Sequence, residues 1–173
     1  MTLFALAFPR TEIRDWAARY DYPAEDAMAL KLVPGIRDRR YLTYDDLVAI
    51  GRWKSPRSGP RLAANDPDDV AAITAVALTT ANERLRIEVL TLLSGVAWPM
   101  ASTILHWGHV DRYPILDFRA LWSLGIDPLP RYDFPFWQAY THFSRELAEQ
   151  AQVSMRELDR ALWQYCYEKK PKR

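Results

Sequence analysis

Residues 66–93 read DPDDVAAITAVALTTANERLRIEVLTLL. Apolar side chains recur there at helical intervals, first at Val70, Ile73, Val76 and Ala77, then at Leu85, Val89, Leu92 and Leu93. Steps of three and four place side chains on one face of an α-helix, whereas a half-buried strand would alternate. Asp66-Pro67-Asp68-Asp69 opens the first helix with a side-chain cap, a proline in the first turn and acids beside the positive helix end. Asn82 caps the second. The stripe Val89, Leu92, Leu93 and Val96 reads as core. The stretch is therefore two helices joined by a short break.

The same grammar extends in both directions. Thr11 can cap a helix through Ile13, Trp16 and Ala17 to about Tyr20, and Pro23 opens another that ends near Pro34-Gly35. Thr43 precedes DDLVAIGRW, Pro99 opens MASTILHW, Asp117 precedes FRALWSLG, and Asp133 precedes a long helix through Trp137, Tyr140 and Phe143. Ser154-Met155-Arg156-Glu157 is a capping box before LDRALWQYCY. The run RYPIL at 112–116 reads as an extended loop rather than a strand. The expectation is an all-α fold of about nine helices, forming one compact domain over residues 1–173.

Composition narrows the class. The chain has 173 residues, a formal charge of +1 and one cysteine, Cys166. Intramolecular disulfides and four-cysteine metal sites are thereby excluded, and a reducing, cytoplasmic setting is expected. No apolar run reaches the ~18 residues of a membrane span, and MTLFALAFPR has no basic n-region, so neither a membrane nor a signal peptide is expected. Charge is uneven along the chain. Residues 31–61 hold eight cations (Lys31, Arg37, Arg39, Arg40, Arg52, Lys54, Arg57 and Arg61) against three acids. Arg52–Arg61, RWKSPRSGPR, carries four cations and no acid in a Pro/Gly/Ser-rich loop context. Such a segment is either a solvated loop or the first contact of an anionic partner. The tail KKPKR adds four more cations.

Chemical information concentrates in residues 92–124, LLSGVAWPMASTILHWGHVDRYPILDFRALWSL. A helix ending at Leu93, the break Ser94-Gly95-Val96-Ala97-Trp98 and a helix opened by Pro99 make a helix, a tight hairpin and a helix. Amides at such a turn point outward and can donate to a phosphate, and Gly95 lets a backbone approach closely. The pattern L-S-G-V-A-x-x-x-A-S-x-I-L resembles the helix–hairpin–helix of the DNA glycosylase superfamily that includes endonuclease III and adenine glycosylase. There the motif L-P-G-V-G-x-x-T-A is followed by a helix and a loop ending in a catalytic aspartate. Here Asp117 follows Ala101 by sixteen residues, matching that aspartate's offset from its hairpin alanine.

The resemblance covers residues 87–125 and implies double-stranded DNA as partner. It also implies a monofunctional base-excising activity centred on Asp117, with no cofactor. The hairpin Gly95, Val96, Ala97 and Trp98 would hold DNA backbone, and Lys54, Arg57 and Arg119 would meet phosphate. The departures are specific. Pro99 stands where bifunctional members carry a nucleophilic lysine, so neither a Schiff base nor lyase activity is expected. Pro99 also has no N–H to offer, Ala97 replaces the second hairpin glycine, Met100 replaces a common threonine, and the iron–sulfur cysteines of some relatives are absent.

Read without the resemblance, the same residues have plainer roles. Asp117 is a good helix N-cap, and Lys54 sits where a helix C-terminus favours a cation. Trp53 and His142 read as packed side chains and Cys166 as a buried small hydrophobe. Arg119 pairs with an acid, Asp117 or Asp111, or meets phosphate. Trp98, Trp107 and Tyr113 are candidates to wedge a gap or stack on a base. His106 and His109 have no third ligand nearby, so no metal site is expected. A non-catalytic DNA-binding module and a protein-interaction domain stand as alternatives to the enzyme.

Overall fold

The computed structural model describes residues 3–21 and 24–171. Those residues form ten α-helices and three 3-10 turns, with no strand among them. The all-α expectation holds. No helix among the described residues is long and apolar enough to cross a membrane. The chain divides into two compact units: Tyr22–Tyr113, and Met1–Asp21 together with Pro114–Arg173.

The unit Tyr22–Tyr113 is built around α7 (Trp98–Gly108), in which every residue from Met100 to Gly108 is buried. Helix α2 (Ala24–Arg39) packs on α3 (Tyr44–Lys54) and α7. Helix α3 also packs on α4 (Gly59–Leu62) and α5 (Pro67–Thr79), and α6 (Glu83–Glu88) packs on α5 and α7. Ile36, Leu42, Leu47, Leu62, Val70 and Ile104 lie wholly inside. Each such aliphatic side chain contributes roughly 1.5–3 kcal/mol by leaving water. Gly51 is required on α3 because a Cβ there would lie 2.0 Å from Leu62 Cδ1 of α4.

Local chemistry explains most of the boundaries. Thr43 makes a full capping box with Asp46, and Asp66 and Asn82 cap α5 and α6 by accepting from Asp68 and Leu85 N–H. Three expectations need correction in this unit. Helix α2 does not end at Pro34-Gly35; it runs to Arg39 and closes with Arg40 at φ 62°. The helix continues past the proline because Ile36, two residues further on, is fully buried and anchors it. The opening proline at position 23 lies outside the described residues. The segment 52–61 is not a loop. It holds the end of α3, a 3-10 turn Pro56–Ser58 and α4, with Pro56 and Pro60 in the first turns, where a fixed φ and a missing N–H are tolerated. The helix before the hairpin ends at Glu88 rather than Leu93, and Val89–Leu92 tighten into a 3-10 turn. Three residues per turn rotate Leu92 out of the apolar stripe, leaving it 72% exposed while Leu93 and Val96 stay buried.

The unit formed by the chain ends centres on α10 (Met155–Lys169), against which α1 (Ile13–Ala18), α8 (Phe118–Ser123) and α9 (Phe134–Gln150) pack. Asp117, Asp133 and Ser154 cap α8, α9 and α10 as the sequence indicates, the last as a capping box with Glu157. Thr11 does not cap α1; it lies within a 3-10 turn Arg10–Glu12 that leads into the helix. The N-terminal segment is held by Ala5 and Ala7 N–H donating to the carbonyls of Leu124 and Ser123. Phe4 packs among Phe136, Tyr140 and Phe143. Cys166 is buried as expected, and its burial pushes the thiol pKa up. His142, expected to pack, is instead exposed, because the buried face of α9 is taken by Trp137, Tyr140, Thr141 and Ser144.

Candidate functional site

The turn between the 3-10 segment and α7 is fixed by three local features. Val96 N–H donates to the Leu93 carbonyl at 3.1 Å, closing the turn. Gly95 adopts φ 78°, a left-handed conformation that costs an L-residue with a side chain roughly 1–2 kcal/mol. Asn65 clasps Ser94 on both sides: its Oδ1 accepts from Ser94 N–H at 2.7 Å, and its Nδ2 donates to the Ser94 carbonyl at 2.9 Å and to Leu62 O at 2.9 Å. The Ser94 amide is thus already committed within the protein.

Gly95 has a structural duty besides its φ. A Cβ there would lie 2.9 Å from Arg61 Cβ, 3.1 Å from Leu62 N and 3.3 Å from Arg61 C. The turn therefore rests directly on the backbone of α4, which carries Arg61 from the basic segment. Beyond the turn, Ala97 is the N-cap of α7 and provides no side-chain hydrogen bond. Trp98 and Pro99 occupy the first two helical positions; Trp98 is half-buried and Ala97 exposed. The first amides of α7 are therefore uncapped by side chains, at the positive end of an 11-residue helix.

The basic residues sort by element. Arg52 and Lys54 lie on the last turn of α3, Arg57 in the 3-10 turn and Arg61 on α4. Arg52, Arg57 and Arg61 are exposed and Lys54 is half-buried. Between α3 and α4 lies an open cleft of about 560 Å³ lined by Tyr44, Asp45, Val48, Arg52, Pro60 and Ala63. Trp53 packs edge-on against Trp107 with ring centres 5.4 Å apart.

Two of the proposed wedge residues are unsuited to that role. Trp107 is buried, and Tyr113 is 1% exposed with its hydroxyl donating to Glu83 at 2.7 Å. For Trp107 the signal is the run of α7, WPMASTILHWG, which holds no Asp, Glu, Lys or Arg and so marks core rather than surface. Tyr113 belongs to a buried network around Arg86. That guanidinium donates to Ala77 O at 3.0 Å and to Thr80 O at the end of α5, and it contacts His109 Nε2 at 2.5 Å and Glu83 at 3.2 Å. His106 Nδ1 meets the Tyr113 carbonyl at 2.7 Å. Both histidines thus serve structure, and no group of three or more metal-binding side chains occurs among the described residues.

Asp117 lies in the other unit. It is half-buried, and its Oδ1 accepts from Arg119 N–H at 2.8 Å as the N-cap of α8. The chain entering it is held by buried groups. Tyr140 Oη donates to the Ile115 carbonyl at 2.9 Å, and Asp159 Oδ1 accepts from Ile115 N–H at 3.3 Å. Burial, with the charges of Asp159 and Asp117 added, keeps the Tyr140 hydroxyl protonated well above the ordinary tyrosine range. Burial and then Asp117 raise Tyr132 in the same way. Arg119 does not spread its guanidinium over a carboxylate. It lies 4.6 Å from the Phe118 ring centre and 4.8 Å from that of Trp163.

Compared with family models, curated proteins and solved structures, the chain matches none. Sequence reasoning missed Asn65, whose clasp on Ser94 spans 29 residues, and the Tyr140 and Asp159 grip on Ile115. Neither contact has a local signature.

Proposed function

We propose that this chain is a DNA glycosylase-like protein. It holds duplex backbone at the Ser94–Trp98 turn and uses Asp117 as the carboxylate for hydrolytic release of an altered base. The observation that carries this reading is the turn: Gly95 in the left-handed region, then α7 with an N-cap, Ala97, that leaves its first amides without a side-chain acceptor. Amides at a positive helix end donate to phosphate oxygen. Arg61 against Gly95, with Arg52, Lys54 and Arg57 preceding it, supplies the cationic surroundings a polyanion requires.

Asp117 suits the chemistry through its carboxylate. A negative group stabilises the positive charge that develops on the sugar as the glycosidic bond breaks, and it orients the attacking water. The target base is extruded from the stack beforehand. Pro99 rules out a lysine nucleophile from that position, so the reaction is hydrolysis without a Schiff base.

A second reading is favoured by one contact. The Asp117 carboxylate is already engaged as the cap of α8, as in a DNA-binding module that performs no excision.

Binding to a short duplex bearing a stable abasic-site analogue, compared with the undamaged duplex over a salt series, separates these. Preference for the abasic duplex that weakens with salt supports the glycosylase reading. Equal, salt-sensitive binding supports the module, and no binding at low salt overturns both. Given base release from a duplex carrying altered bases, Asp117→Asn abolishes release while retaining binding; full turnover by that variant refutes the catalytic role.

A further inference from the structure

The segment entering Asp117 is held by buried polar side chains. Residues 112–117 carry no regular secondary structure, and the described residues include no strand to meet their peptide groups. Ile115 and Leu116 are buried, so water does not satisfy the backbone there and protein groups must. Two helices supply them for Ile115. Tyr140 of α9 donates its hydroxyl to the Ile115 carbonyl at 2.9 Å, and Asp159 of α10 accepts from Ile115 N–H at 3.3 Å. Both side chains are themselves buried, Tyr140 completely.

A carboxylate inside a helical core is a poor source of stability. Apolar residues of similar size often serve as well or better, because polar and charged groups are costly to desolvate. What a satisfied polar network supplies is a single fixed arrangement. Here the residue so fixed lies two positions before Asp117. Asp117 then enters α8 as its N-cap, with Oδ1 accepting from Arg119 N–H at 2.8 Å. The grip on Ile115 sets the backbone upstream of the carboxylate, and the cap sets its orientation downstream. Reactivity depends steeply on such placement: an error of 1 Å costs about 100-fold.

We propose that Tyr140 and Asp159 are positioning residues for Asp117. They hold Ile115 through its carbonyl and its N–H, and thereby fix where the Asp117 carboxylate stands relative to the sugar of a bound duplex. Neither touches the nucleic acid. The inference rests on the reading of Asp117 as the carboxylate that faces the developing positive charge.

Two duplexes test it without requiring the target base to be known. One carries a pyrrolidine in place of a nucleotide, cationic where the sugar becomes positive as the bond breaks; the other carries the neutral tetrahydrofuran analogue. The unaltered protein binds the pyrrolidine duplex more tightly, and Asp117→Asn loses that preference, as expected of a group complementary to transition-state charge. Tyr140→Phe removes only the hydroxyl and keeps the ring that packs against Phe4 at 5.9 Å between centres. It cuts the preference by up to about 100-fold while binding the tetrahydrofuran duplex as the unaltered protein does. Asp159→Asn, whose amide oxygen still accepts from Ile115 N–H, keeps more of the preference than Asp159→Leu. Amide exchange in the free protein is the second readout. Arg119 N–H exchanges about 2- to 13-fold faster in Tyr140→Phe, the effect of losing one hydrogen bond, while the interior amides of α10 are unchanged. An undiminished preference in Tyr140→Phe, or an Arg119 amide that exchanges as before, overturns this inference and leaves the reading of Asp117 standing. Equal losses in Asp159→Asn and Asp159→Leu overturn the role of Asp159. An unaltered protein that binds neither duplex, or both alike, overturns the reading of Asp117 itself, and the inference falls with it. Circular dichroism verifies that each variant is folded.

Discussion

Gly95→Ala puts the geometry of the turn to a quantitative test. The substitution adds one methyl group at φ 78°, where a Cβ meets the following carbonyl oxygen; that alone costs about 1–2 kcal/mol. The same methyl would lie 3.1 Å from Leu62 N and 3.3 Å from Arg61 C. These are backbone atoms of α4, so they cannot swing aside as a side-chain tip would. Displacing a packed element to admit a methyl typically costs a further ~1–3 kcal/mol. The expected loss is therefore about 2–5 kcal/mol, a large share of the ~5–15 kcal/mol by which a domain is stable. Urea unfolding followed by far-ultraviolet circular dichroism measures it. The midpoint falls while the slope stays constant if only stability changes. A loss no greater than the roughly 1–2 kcal/mol that left-handed strain alone costs would refute the claim that α4 lies directly beneath the turn.

Other consequences follow from individual contacts. Asp117→Asn leaves stability within a few tenths of a kcal/mol because asparagine caps as well as aspartate, while Asp117→Ala loses about 0.5–2 kcal/mol; equal losses in chemical denaturation would show that the cap is not what the carboxylate contributes. Arg86→Met removes the donor that satisfies the Ala77 and Thr80 carbonyls and the partner of Glu83. Glu83 is 36% exposed and regains water, so the loss comes from the two carbonyls left without that donor, about 1–3 kcal/mol, and an unchanged melting temperature would contradict it. Hydrogen bonds from Ser154, first from its backbone N–H and then from its hydroxyl, hold the Glu157 carboxyl below the ordinary glutamate range. A depressed folded-state pKa gives stability that is present above the unfolded value and lost as pH falls through the folded value. Glu157→Gln therefore has a shallower acid limb than the unaltered protein, and superimposable acid-unfolding curves would count against the capping box as the cause.

What the sequence makes legible is what short-range chemistry decides. Asp66, Asn82, Asp117, Asp133 and Ser154 all cap the helices they precede, because a capping side chain reaches amides only two or three residues away. Gly95 is named from the sequence only for the close approach it permits; its left-handed φ comes from the structure. Misreadings arise where packing overrides local signals. Pro34 signals a helix end, yet burial of Ile36 carries α2 through it. The apolar period through Leu92 implies core, yet a 3-10 turn exposes that side chain. Pro56 and Pro60 look like loop punctuation but sit in the first turns of short helical elements. At the candidate site, Asp117 and the turn could be named through the resemblance of the 92–124 segment, whereas the Asn65 clasp and the hold on Ile115 depend on partners 29 and 25–44 residues distant. No local pattern encodes such partners.

The basic segment can be tested through ionic strength. If Arg57 meets a phosphate, Arg57→Ala weakens duplex binding uniformly across sequences and lowers the salt slope by about 1; an unchanged slope removes Arg57 from the interface.

The central claim, that duplex DNA is held at the Ser94–Trp98 turn, is tested most directly by titrating ¹⁵N-labelled protein with a duplex carrying an abasic-site analogue and following backbone amide resonances. The Gly95, Ala97 and Trp98 amides shift progressively with added duplex, while the Ser94 amide, held by Asn65, shifts least within the turn. Saturable binding that leaves the Gly95, Ala97 and Trp98 resonances in place would contradict the claim.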